Sequence, residues 1–138
     1  MKIIVCLDDN GGMAFNRRRQ SRDRVLIEDI AKTVGNARLY IDKYSAPLFE
    51  SAALKPTVSE NMPSDAACGD YCFVETVKIS ELFVAEDIEE FVIYRWNRVY
   101  PRDLCFDFDL QKNAFLLVSS CDFAGYSHEK ITKEIYRK

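Results

Sequence analysis

The chain has 138 residues, of which 48% are hydrophobic and 30% charged, and its formal net charge is −3. That length supports one well-packed core, and the composition is that of a soluble globular domain. The negative balance excludes coating of nucleic acid or anionic membrane through bulk charge, though not through a local basic patch.

The first element is Lys2–Leu7 (KIIVCL), a short continuous apolar run that reads as a buried strand. Asp8-Asp9-Asn10-Gly11-Gly12 ends it with turn chemistry. Residues 13–20 form an arginine-rich loop in this reading. Ser21 stands where it can cap a helix in which Val25, Leu26, Ile30 and Val34 recur at helical spacing. Gly35-Asn36 stops that helix. Residues 38–44 (RLYIDKY) give a second strand. A short helix-like segment starts at Ser45, with Pro47 in its first turn. Residues 55–70 are polar and lack a period, so a loop excursion is expected there. Residues 71–79 begin as a strand, 80–89 read as a short helical stretch, and 90–96 as another strand. In residues 104–110, Leu104, Phe106, Phe108 and Leu110 alternate with Cys105, Asp107 and Asp109. This period of two predicts one apolar and one acidic face. Residues 114–118 and 131–136 supply two further strands. The whole predicts an α/β fold: a single domain over 1–138, with a mixed, mostly parallel sheet flanked by a few helices.

No apolar run is long enough to span a bilayer, and the opening residues carry no signal-peptide pattern, so no membrane association and a cytoplasmic location are expected. The five cysteines are then reduced, small core residues. Cys68 and Cys72 are spaced C-x3-C, but His128 is the lone histidine, so no metal site is expected. The same scarcity makes Ser-His-Asp or Cys-His catalysis a poor fit, and His128, in a turn before the last strand, receives no catalytic role. Asp107 and Asp109 share a strand face and are explained by exposure. Arg17, Arg18, Arg19, Arg22 and Arg24 fall within eight residues. They predict an anion-binding patch for a nucleotide, a polyphosphate or a nucleic-acid backbone. A solvated face paired with nearby carboxylates accounts for the same cluster.

The order of elements resembles that of dihydrofolate reductases. MKIIVCLDDNGGMAFN is similar to the family's first strand and mobile loop, and SRDRVLIEDI to the helix bearing the acidic residue that contacts the pteridine. The resemblance places Asp23 as the catalytic acid, and Cys6, Leu7, Phe15, Ile27 and Tyr94 around a pterin-like or other small heterocyclic substrate. RLYIDKYSAPLF is similar to the strand and helix start that help hold NADPH, with Asp42 in place of a glycine. Lys43 and Ser45 stand for its cofactor-binding arginine and threonine. Glu75 and Thr76 occupy the family's Gly-Gly position beside the cofactor. The resemblance therefore implies an NADPH-dependent reductase, while carboxylates at positions 42 and 75 imply weak cofactor binding in the usual pose. The alternative is a non-catalytic domain that takes a nucleotide or nucleic acid through residues 17–24.

Overall fold

The computed structural model describes residues 1–138. Strand β1 (Lys2–Leu7) lies at the centre because both of its faces are apolar: Ile3, Ile4, Val5 and Leu7 are all buried. It pairs in parallel with β6 (Tyr71–Phe73) on one side and β7 (Glu90–Arg95) on the other. Outward from β6 come β4 (Leu39–Ile41) and the short edge strand β5 (Thr57–Val58), also parallel. Beyond β7 come β10 (Ile131–Arg137) and then β9 (Leu116–Phe123). β10 is antiparallel to both neighbours and is the one reversed strand of seven. The fold is thus the expected α/β type with a mostly parallel mixed sheet.

Strand alternation divides the core. Ile3, Val5, Leu7, Phe91 and Ile93 face one side, while Ile4, Val92, Tyr94 and Trp96 face the other. Helix α1 (Arg24–Val34) covers the second side, sinking Leu26, Ile27, Ile30 and Val34 into it. The first side is covered by residues 104–115. Phe91 is enclosed there by the rings of Phe106, Phe108 and Phe115, at centroid separations of 5.6, 4.8 and 5.2 Å. No helix is long and apolar enough to cross a membrane.

Four local expectations change. Residues 13–20 are not a loop: β2 (Gly12–Phe15) and β3 (Arg18–Arg19) form a hairpin, which β8 (Leu104–Cys105) joins as a three-stranded sheet. Its two-residue turn, Asn16-Arg17, has φ of 51° and 61°, the positive values that suit the twist of a tight hairpin. Within 55–70, the chain forms β5 and the helical turn α2 (Met62–Asp65) instead of an unstructured excursion. Residues 71–79 leave the strand after Phe73, and α3 (Ile79–Leu82) starts sooner than expected. Residues 104–110 keep their alternating burial, but only Leu104–Cys105 joins a ladder. Burial of one face supports the rest without strand pairing.

Candidate functional site

α1 starts beside the C-terminal ends of β1, β6 and β7. Ligands in open, mostly parallel sheets bind outside such strand ends. The cleft is walled by Cys6, Leu26, Ile27, Phe73 and Trp96, with Arg19, Ser21, Asp23 and Glu75 as polar groups. Its enclosed cavity is only about 20 Å³, room for about one water. Small-molecule pockets are usually about 300–1,000 Å³, so in this conformation the cleft is closed.

The closure has a chemical cause. Arg19, carried on β3, reaches Glu75 just past β6, with Nε and Nη2 at 2.8 and 3.0 Å from its two carboxylate oxygens. Nη2 also donates to the Tyr44 carbonyl at 3.2 Å, and the guanidinium stacks 4.3 Å from the Tyr44 ring centroid. Ser45 Oγ donates to Glu75 at 2.6 Å. Glu75 is 8% exposed, and a buried carboxylate needs such partners. The charge expected to repel a phosphate is therefore matched within the fold by Arg19.

Asp23 is the N-cap of α1, with extended backbone and Oδ1 accepting the Val25 N–H at 2.9 Å. Ser21, expected as the cap, lies just outside. Asp23 also accepts the N–H groups of Tyr126 and Ser127, each at 2.9 Å, from the loop between β9 and β10. His128 Nδ1 sits 2.9 Å from Oδ2, and both side chains are essentially buried. Burial alone would raise this carboxyl's pKa, but the Tyr126 N–H, His128 and the Ser127 and Val25 N–H groups hold it far below the carboxylate range. Asp23 is thus ionised and saturated with donors. His128, assigned no role from sequence, is stacked on Trp96 at 4.5 Å, and its Nε2 lies 3.1 Å from Ser21 Oγ and 2.9 Å from Tyr100 OH. The signal for this cluster in the sequence was weak: one histidine, 105 positions from its carboxylate.

Cys6 and Ile27 line the cleft with Asp23, whereas Leu7 lies in the opposite core. Phe15 is exposed on the β2–β3 hairpin and borders a separate outer cleft. Tyr94 lies under α1, where its hydroxyl donates to Asp29 at 2.6 Å and not to Asp23. Burial, then Asp29, pushes the Tyr94 phenol far above its ordinary range. Leu26, Phe73 and Trp96 complete the apolar wall and were not among the substrate contacts implied by the resemblance. Lys43 is exposed, 3.6 Å from the equally exposed Glu60. Thr76 is half-buried in a bend. Burial, then Glu75, drives the Cys6 thiol well above its usual value. Of the clustered arginines, Arg19 is committed to Glu75 and Arg24 stacks on Tyr126 at 4.1 Å. Arg17, Arg18 and Arg22 are exposed and make no ion pair.

No family model and no curated protein matches the chain. Among solved structures, dihydrofolate reductase from Enterococcus faecalis, complexed with NADP(H) and RAB-propyl, is similar at a TM-score of 0.67. The two chains are 9% identical, and the match covers 99% of this chain and 94% of that one. With the sheet order and helix placement above, it establishes a dihydrofolate reductase-like fold.

Proposed function

We propose that the α1–sheet cleft binds a small, flat heterocycle of pterin-like type, and that the chain is a divergent reductase relative drawing on NADPH. The observation that carries this reading is the cleft itself, placed at parallel strand ends, with an apolar wall and convergent polar groups. Entry requires the β2–β3 hairpin to lift Arg19 away from Glu75. Lifting Arg19 returns the Glu75 charge to the cofactor side, where only the Ser45 hydroxyl still meets it, so cofactor binding is expected to be weak. Asp23, already filled by four donors, does not serve as proton donor in its present state. Titration with NADPH, alone and with a dihydropterin, tests the reading through Trp96, which is both the sole tryptophan and a cleft residue. Saturable quenching with a raised melting temperature is expected. Unchanged fluorescence and melting at millimolar NADPH and pterin would sink it.

A second reading rests on the three unpaired arginines. Arg17, Arg18 and Arg22 supply an anion site for a nucleotide or a nucleic-acid backbone. Binding of a short RNA or ATP should weaken with salt and fall at least tenfold in Arg17→Ala/Arg18→Ala, since roughly one unit of salt slope goes with each lost phosphate contact. Equal affinity in that double variant rules the patch out. Arg19 is left intact in this test because it holds the fold.

A further inference from the structure

Ionised Asp23 can only accept hydrogen bonds, so His128 Nδ1 carries its proton toward Oδ2. In the neutral ring, the Nε2 lone pair then has two hydroxyls within reach, Ser21 Oγ at 3.1 Å and Tyr100 OH at 2.9 Å. A hydroxyl, a base within hydrogen-bond reach and a buried group that fixes the base's tautomer are the parts of an activated nucleophile. Three further features fit. Asp23 is held rigid by three backbone N–H groups, so the imidazole has one orientation. Ser21 is half-buried and lines the cavity with Leu26 and Trp96. α1 begins three residues after Ser21, and the N–H groups of Arg24 and Leu26 in its first turn have no acceptor within the chain. Such donors suit a developing oxyanion.

Tyr100 borders a second, open cleft of about 360 Å³, whose rim includes Arg18 and which shares Arg19 and Gln20 with the inner cavity. The inner space, closed to about one water here, admits a small acyl group only once Arg19 lifts from Glu75, whereas the outer cleft has room and positive charge for a tail.

We propose that Ser21 is a nucleophile activated by His128, with Asp23 as the positioning residue. Its substrate class is a small acyl ester or thioester with an anionic tail. Ser21 Oγ forms a bond to the carbonyl carbon as its proton passes to His128 Nε2. The bond to the leaving group breaks, and His128 returns the proton to that group. Water then attacks the acyl-serine through the same base, releasing a carboxylic acid and restoring Ser21. No oxidant or reductant enters, so this activity is independent of NADPH.

The test treats the full chain with p-nitrophenyl acetate and, separately, with an alkyl fluorophosphonate, followed by intact mass and peptide mapping. The expected result is a single adduct on Ser21 with a burst of p-nitrophenol, absent in Ser21→Ala. In His128→Gln, labelling should slow roughly 100- to 10,000-fold, the usual range for a lost general base. Far-UV circular dichroism and melting show whether each variant is folded. Should His128→Gln not fold, the site mapping with Ser21→Ala still decides, because Ser21→Ala removes no core contact. Ser21→Cys should recover labelling by the activated ester. No adduct on Ser21 at millimolar probe, modification confined to cysteines and lysines, or an undiminished rate in folded His128→Gln would each overturn the proposal.

Discussion

Asp23→Ala should lower the unfolding free energy by about 3–5 kcal/mol, the usual cost of removing one partner from a buried, hydrogen-bonded pair. Four donors converge on this carboxylate, namely the Val25, Tyr126 and Ser127 N–H groups and His128 Nδ1. Truncation strands them and removes the helix cap together. The loop bearing Tyr126 and Ser127 packs so closely that a Cβ on Gly125 would lie 2.5 Å from Asp23 Oδ2. No side chain could follow the cap inward to fill its place. Urea denaturation should show the midpoint falling by more than 1 M, given slopes of about 1–3 kcal/mol per molar. An unchanged midpoint would mean that Asp23 is not held this way. The pH profile gives a second check. Asp23 has a lowered pKa in the folded chain, so its stabilisation is complete above the unfolded value of about 3.9 and fades as pH falls below it. The natural chain should therefore lose stability steeply below about pH 4, where the variant's profile is flatter.

The second large effect is expected at the gate. Arg19→Met leaves Glu75 buried with only Ser45 to satisfy it, a loss again of about 3–5 kcal/mol. Arg19→Met/Glu75→Gln removes both charges and should be less damaged than Arg19→Met alone, with a coupling energy near 2 kcal/mol in a double-mutant cycle. Thermal and urea unfolding of the four proteins measure it, and additive losses would show that the pair contributes nothing as a pair. The double variant should also be the more open protein. With no ion pair across the cleft, its Trp96 should be quenched more readily by acrylamide than that of the natural chain.

The architecture was legible because it rests on local patterns. KIIVCL and EFVIYRW are apolar on both faces, as central parallel strands must be, and α1 shows a clean apolar stripe. The alternation from Leu104 to Leu110 correctly gave the buried face, yet not the pairing, since period two describes which side is covered and not what covers it. The site was harder to read. Asp23 has the same sequence context whether it caps a helix, meets a ligand or binds a histidine. Only the return of the chain through β10 brings His128 beside it. The arginine cluster looked uniform in sequence, but Arg19 differs from its neighbours because the positive-φ turn at Asn16-Arg17 folds β3 back over the cleft. Nothing in the three letters Arg-Arg-Arg distinguishes the one that pairs with Glu75.

The insertion of β10 between β7 and β9 also sets an order of assembly. β9 has no other partner in the sheet, so it can join only after residues that follow it in the chain have docked on β7. On the ribosome, Leu116, Leu117 and Val118 therefore emerge before anything exists for them to pair with, and they stay more than half exposed even at the end. The Asp23–His128 contact closes on the same late event, so the cluster that unites the two ends of the chain cannot exist on a partly synthesised one.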